Sequence, residues 1–302
     1  MAGATCGSQR GRNIDGVPDS VYWKLYFAAR KLPWDPQTVD LPRDCVDWER
    51  IRREFPAEDY AGQVLQLCTF FYDGEESVTY TLTPYLSAAA RLGLGADLQL
   101  FLTSQLAEEA RHFEFFRRYF AEVLPNANPQ MPLPPEPRSV LVDGLQDIAD
   151  RLRKEDEPGH LRELLVEGVA HYMGVVESML ARTGYRGVGE VLAARGWLPG
   201  LQEGFRLIRR DEGRHVAFGI HFLKDIASPH PPLRKIALDT FERYLPAALA
   251  TVQLFDFPRP LFPIEMLVQY AMDAGQQFLA AAALTDDDAV ELTELERDLA
   301  EL

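Results

Sequence analysis

The chain has 302 residues, 47% of them hydrophobic and 25% charged, with a formal net charge of −15. That length is enough for one large helical domain with a sizeable core, and the acidic surplus argues against nucleic acid or an anionic membrane as partner. Its cysteines, Cys6, Cys45 and Cys68, are too few and too scattered for a disulfide framework, which fits a cytoplasmic, reducing environment.

Residues 1–17 are small, polar and Gly/Arg-bearing, without the apolar stretch of a secretory signal, and read as a disordered N-terminus. A short helix is predicted from Ser20 to Lys31, followed by an extended, proline-punctuated stretch. Helical periodicity resumes near Val46 and runs long from Ala57, with Pro84 expected to kink it and Gly93–Gly95 to end it. A helix over 97–123 precedes a proline-rich loop, 125–137. Helices then fit 138–154 and 158–183, the second stopped by "TGYRG", with a short helix at 188–195. Further helices fit 201–225, 232–256 and 262–284, and residues 285–302 form an acidic tail. The longest uncharged run, residues 77–90, is too short to span a bilayer, so the protein does not read as transmembrane. No strand alternation, repeat, P-loop or dinucleotide fingerprint is present. The pattern predicts an all-α protein with one domain over 18–284.

Two stretches carry the chemistry: "EEARH" at 108–112 and "DEGRH" at 211–215. In each, a glutamate and a histidine three residues apart share one helix face, giving the pairs Glu109/His112 and Glu212/His215. Two such pairs, plus one glutamate from each of two further helices, make the ligand set of a four-helix dimetal-carboxylate site. Glu177, a lone acid in the apolar "HYMGVVESMLA", is one candidate, because an unpartnered buried acid is costly. In "DGEESV", Glu75 and Glu76 compete for the other place. Four carboxylates balance two divalent ions, leaving a buried centre neutral. Asp211 is a candidate acceptor behind a ligand histidine, His112 being the one proposed, or else a helix-start acid favoured by the dipole. Glu108 lies out of register for its own histidine and reads as a support behind the ligands or a solvated acid. Arg111 and Arg214 are candidates to pair with the surrounding carboxylates. His160, His171, His221 and His230 lack an acid three residues before them and read as non-ligands.

The set Glu75, Glu109-x-x-His112, Glu177, Glu212-x-x-His215 resembles the ferritin-like superfamily of ribonucleotide reductase small subunits. Within it, "LCTFFYDGEESVT", "EEARHFEFF", "HYMGVVESMLARTGY" and "DEGRHVAFG" are similar to the related ligand-binding oxidases, over roughly residues 20–280. The resemblance implies a ferritin-like bundle with additional helices, usually a homodimer, holding one manganese and one iron; ligand identity alone is equally compatible with two irons. It implies a manganese site of Glu75, Glu109 and His112 and an iron site of Glu109, Glu177, Glu212 and His215, bridged by Glu109. It further implies a long-chain fatty acid whose carboxylate reaches the metals, O2 as oxidant, and an ether cross-link between a valine three residues after the first glutamate and a tyrosine five before the third. Those positions are Val78, which selects Glu75 over Glu76, and Tyr172; Tyr185 matches a tyrosine near the family's site. Such a site needs a dry, apolar pocket, for which Phe70, Phe71, Phe113, Phe116 and Phe205 are candidate lining residues. The position of the radical tyrosine in true reductase subunits is Phe116 here. The rival expectations are a reductase small subunit storing an oxidant for a partner, a dimetal hydroxylase or N-oxygenase, and an iron-storage bundle.

Overall fold

The structure, a computed structural model, describes residues 20–125, 127–128 and 133–285. The expected disordered N-terminus and acidic tail lie outside the described residues, except position 285. Among the described residues all regular structure is helical.

Helix α1 (Val21–Lys31) is capped by the Ser20 side chain, which accepts from the Trp23 amide. It lies against the later bundle helix α5 (Ala96–Glu122). Helix α2 (Pro42–Glu54) follows a short 3-10 turn, Pro36–Thr38. Helix α3 (Tyr60–Thr81) begins at Asp59, whose carboxylate accepts from the Gly62 amide at 3.2 Å. Instead of kinking one long helix, Pro84 separates α3 from a second helix, α4 (Thr83–Arg91). The break falls at Leu82, and proline occupies the first turn of α4, where its missing N–H would have been unpaired anyway. Gly93 and Gly95 take positive φ values of 65° and 88°, ending α4 where the sequence predicts.

After the proline-rich stretch, the backbone winds from Pro135–Arg138 through a π-helical turn, Ser139–Asp143, into α6 (Gly144–Lys154). The expected stop at "TGYRG" does not occur. Helix α7 (Pro158–Arg195) is continuous and includes a π-helical stretch, Ala170–Ala181. Gly184 and Gly187 serve close packing: a Cβ on Gly184 would lie 2.5 Å from Phe71, and one on Gly187 2.5 Å from Leu267. Helix α7 is long and apolar enough to cross a membrane, a feature that the uncharged-run argument overlooks, but 94% of its apolar window is buried in the bundle. Helix α8 (Pro199–Phe222) runs into a π turn, Leu223–Ala227, and is followed by α9 (Pro231–Gln253) and α10 (Ile264–Ala281).

Helices α3, α5, α7 and α8 form the bundle around the site. The start of α8 is set from outside. Asp44 of α2 accepts from the Gly200 and Leu201 amides, both at 2.7 Å, and Asp47 accepts from the Leu198 amide at 3.0 Å. Leu198 has a left-handed backbone, φ 52°, which residues bearing a Cβ disfavour. The two buried acids satisfy the N–H groups that this entry leaves open. The Tyr119 hydroxyl donates to Asp44 at 3.0 Å, so α2, α5 and α8 are tied at one point.

Candidate metal centre

Each bundle helix brings its acid to the same buried point. Glu75 comes from α3, Glu109 and His112 from α5, Glu177 from α7, and Glu212 and His215 from α8, and all six are buried. Glu76 stays half-buried outside the cluster, accepting from the Tyr80 hydroxyl at 3.4 Å. His112 Nδ1 lies 3.4 Å from Glu75 Oε2, 3.3 Å from Glu109 Oε2 and 3.4 Å from Glu212 Oε1. His215 Nδ1 lies 3.2 Å from Glu109 Oε1, 3.3 Å from Glu177 Oε1 and 3.3 Å from Glu212 Oε2. Two overlapping groups result, Glu75/Glu109/His112/Glu212 and Glu109/Glu177/Glu212/His215. The resemblance implies one bridging carboxylate, Glu109. Here Glu212 also turns one oxygen toward each histidine.

The donor set fits a pair of cations. Atoms bound about 2.1 Å from one ion at angles between octahedral and tetrahedral lie about 3.0–3.4 Å apart, which is the spacing around both imidazoles. The Nδ1 atoms of both histidines, with one oxygen each of Glu177 and Glu212, are buried without a hydrogen-bond partner, a state that a bound cation would relieve. Hard oxygen with imidazole suits iron or manganese.

The electrostatics agree with this fit. Burial pushes the Glu75 carboxyl up to about 8, against the opposing charge of His112. Burial also holds Glu177 well above the carboxylate range, reinforced by the charge of Glu212. Desolvation disfavours charged imidazoles, yet the surrounding carboxylates carry His112 and His215 well above their ordinary value. Against its own burial, Glu109 is held well below the carboxylate range by the two histidines. The metal-free cluster therefore retains protons that cations would displace.

Behind each histidine stands an acid from the opposite motif. Asp211 Oδ2 lies 3.3 Å from His112 Nε2, and Glu108 Oε2 lies 3.0 Å from His215 Nε2. Facing the ring nitrogen away from the cluster, each acid orients its imidazole. The fully buried Arg214 guanidinium donates to both Glu108 and Asp211. Arg111 donates to Asp211 at 3.1 Å and Trp34 Nε1 to the same oxygen at 2.7 Å. Despite burial, the hydrogen bond and charge of His112 hold the Asp211 carboxyl below its usual range. Nearer the cluster, the Tyr185 hydroxyl donates to Glu75 at 3.1 Å, Tyr172 to Glu109 at 2.5 Å, and Gln105 Nε2 to Glu177 at 3.1 Å.

Sequence reasoning missed Trp34 and Gln105, and left Glu108 open between a support behind the ligands and a solvated acid; it stands behind His215. Glu108 carries a legible signal, since it occupies the same place before its motif as Asp211. Trp34 and Gln105 carry none, because their contacts join residues distant in sequence.

The π winding of α7 matters here. Its i→i+5 bonding aligns residues five apart, whereas an α-helix would set them about 140° apart. Tyr172 and Glu177 consequently face the same cavity. Phe70, Phe71, Val78 and Leu180 line it, and Glu75, Glu109, Glu177 and Glu212 stand in its wall. Of the five phenylalanines that the sequence offers as lining, only Phe70 and Phe71 line this cavity. Phe116 and Phe205 pack on Phe71 with ring centroids 5.7 Å and 5.0 Å away, and Phe113 packs on Tyr72 at 5.1 Å. None of His160, His171, His221 or His230 belongs to either donor group.

Four helices converging their carboxylates and two imidazoles on a buried double cluster define the ferritin-like dimetal-carboxylate class. A model of the ribonucleotide reductase small-chain family matches residues 13–245, and the protein belongs to that family. Similar solved structures are R2-like ligand-binding oxidases. A glycine-to-leucine mutant carrying a non-activated Mn/Mn cofactor after aerobic reconstitution with Mn and Fe has 25% identity and a TM-score of 0.78, with 88% of this protein and 94% of that one covered. A glycine-to-phenylalanine mutant with an anaerobically reconstituted Mn/Fe cofactor has 24% identity and a TM-score of 0.78, covering 88% and 95%. A tyrosine-to-phenylalanine mutant, also with an anaerobically reconstituted Mn/Fe cofactor, has 24% identity and a TM-score of 0.76, covering 93% and 100%.

Proposed function

We propose that this protein is an oxidoreductase: an O2-activating dimetal oxidase that takes one manganese and one iron, binds a long-chain fatty acid or similar apolar carboxylate, and performs two-electron C–H oxidation. The observation that carries this reading is the double carboxylate–imidazole cluster opening onto an apolar cavity lined by both Val78 and Tyr172. The similarity to oxidases reconstituted with Mn and Fe supports the choice of metals. Glu75, Glu109 and His112 would hold manganese; Glu109, Glu177, Glu212 and His215 would hold iron. We further take the protein to be a cytoplasmic homodimer, which light scattering would test.

When bound, the metals supply O2 reduction and the oxidising power for C–H cleavage. The protein's own contribution is geometry, charge and dryness. Four carboxylates neutralise two divalent ions, so the reduced centre is buried without net charge. One added oxidising equivalent per metal leaves two positive charges, which a ligand carboxylate and a hydroxide would balance. The apolar cavity wall excludes water and accepts an alkyl tail. Tyr172 donates its phenolic proton to Glu109 Oε1, so that proton has an acceptor when the phenol oxygen forms a bond. In the cross-link, one C–H bond of the valine at position 78 and the Tyr172 O–H break, a C–O bond forms, and the two protons and two electrons go to reduce O2.

The test is peptide mass spectrometry of protein loaded with Mn(II) and Fe(II), kept anaerobic or exposed to O2. A joined Val78–Tyr172 peptide pair, lighter by two hydrogens and formed only with O2, is expected. Tyr172→Phe should retain both metals and lose the link. No link with both metals bound would sink the cross-linking oxidase.

One observation favours a second reading, a small subunit storing an oxidant for a partner. Trp34, Asp211 and His112 form a hydrogen-bonded line from a half-buried indole to the cluster, along which an electron can travel. Co-purification with a large catalytic subunit would decide for it.

A further inference from the structure

The line from Trp34 through Asp211 to His112 runs through a cluster of positive charge in a protein whose net charge is −15. Arg111 of α5 lies over the Trp34 ring, its guanidinium carbon 5.7 Å from the ring centroid. It also donates at 3.1 Å to Asp211 Oδ2, the same oxygen that takes the indole N–H at 2.7 Å. The Arg111 side chain is only 17% exposed, so little water screens its charge from the indole. At the other Asp211 oxygen, Arg214 donates at 2.6 Å and Arg210 stands 4.0 Å away. Three guanidiniums thus meet Asp211 and the Glu108 that Arg214 also holds, three positive charges against two negative. The indole is well placed to give up an electron in spite of this, since its ring stacks on the His112 imidazole with centroids 6.3 Å apart.

Resting on the oxidase reading above, we propose that Arg111 keeps Trp34 reduced, and so directs the oxidising power of the centre into the apolar cavity instead of outward to the surface. An electron that left Trp34 for the oxidised centre would leave an indole short of one electron. If that indole kept its N–H, it would be a cation beneath the Arg111 guanidinium. The attraction between the guanidinium and the electron-rich ring face would turn into repulsion. If the proton passed instead from Nε1 to Asp211 Oδ2, the acid would become neutral. Arg111 and Arg214 would then lose the charge they are bonded to, in a place where an unpaired charge is costly. Either fate of the proton is opposed by the same guanidinium. Arg111 belongs to neither donor group and does not line the cavity. It is a positioning residue that acts through Trp34 and Asp211.

The first test uses metal-free, full-length protein and the azide radical, which takes one electron from an indole and becomes azide. The oxidised indole adds O2, and peptide mass spectrometry locates the hydroxylated and ring-opened products, with the half-buried Trp23 as internal reference. Arg111→Met, which keeps the apolar stem and removes the charge, should raise oxidation at Trp34 about tenfold relative to Trp23, the scale of a largely desolvated cation–π contact. Arg111→Gln should do the same, and Arg111→Lys should stay near wild type. An unchanged ratio in Arg111→Met and Arg111→Gln, or a rise as large in Arg111→Lys, would overturn the proposal. The second test exposes the Mn(II)/Fe(II)-loaded proteins to O2. Wild type should leave Trp34 intact. Arg111→Met, with both metals bound, should oxidise Trp34 and form less of the Val78–Tyr172 link, and adding Trp34→Phe should restore the link. Trp34 oxidised as readily in loaded wild type as in Arg111→Met would also overturn the proposal. A link missing from every loaded protein, while Trp34 still responds to Arg111 in the metal-free test, would overturn the cross-linking oxidase and leave the control of Trp34 by Arg111 standing.

Discussion

His112 and His215 occupy equivalent places in the same pattern, acid-Glu-x-Arg-His, on α5 and α8, yet their surroundings differ. Around His112 one line of polar contacts leads outward. Asp211 behind it bonds to Arg111 and to the half-buried Trp34 as well as to the buried Arg214. Around His215 they stay inside. Glu108 is held by the fully buried Arg214, Glu177 by the fully buried Gln105, and Phe101 packs edge-on against the imidazole. Each half offers carboxylates and one imidazole, so ligand type alone does not separate a manganese place from an iron place. The difference teaches that any such discrimination must come from what stands behind the ligands.

The largest expected effect tests whether the halves are separable. His215→Ala should leave one metal per protomer, held by the His112 half. Glu212→Ala should lose both, because its two oxygens face both histidines. Elemental analysis after gel filtration reads the stoichiometry, and one retained metal in Glu212→Ala would show that Glu212 serves a single half.

The crossed supports give the next effect. Glu108→Gln should weaken the metal beside His215 by about 10–100-fold, and Asp211→Asn the metal beside His112 by a similar factor. Competition with a chelator measures each. If Glu108→Gln instead weakens the His112 half, the crossing has no energetic meaning.

pH separates the halves more finely. Glu75 has its carboxyl raised to about 8 and is protonated below that value, so a metal must expel a proton to bind there. Apparent affinity at the Glu75 half should rise with pH, inflect near 8 where Glu75 gives up its proton, and go on rising more gently while His112, held well above its ordinary value, gives up its own. The Glu177 half should show no inflection near 8, because that carboxyl is raised well above its usual range. Identical profiles for the two metals would remove the distinction.

The smallest effect concerns Tyr185. Tyr185→Phe removes one hydrogen bond to Glu75 and should weaken the metal at that half by about 1 kcal/mol, roughly fivefold, with the His215 half unchanged. Equal weakening of both would mean that the phenol acts by packing, since its ring stacks on Phe71 at 4.8 Å.

Much of this centre was legible because helix faces are a local property. Three-residue spacing puts Glu109 with His112 and Glu212 with His215 on shared faces whatever the rest of the protein does. An acid in the apolar run around Glu177 signals a buried partner for the same local reason. The failures were also physical. "TGYRG" has the residues of a helix stop, but its glycines are there to let Phe71 and Leu267 approach. The π winding across Ala170–Ala181 has no local signature in an apolar stretch, so the shared face of Tyr172 and Glu177 was not readable from spacing.

By itself the sequence determined the helical class, the six donor side chains as candidates, and the pairing of each glutamate with the histidine one turn on, since all of these follow from composition and short-range periodicity. Only the tertiary structure decided that each motif's leading acid supports the other motif's histidine, that Glu212 faces both imidazoles, and that an apolar cavity adjoins the cluster. Those outcomes depend on how separate helices are rotated and spaced against one another, and contacts between residues about a hundred positions apart, such as Glu108 and His215, leave no period in the sequence that makes them.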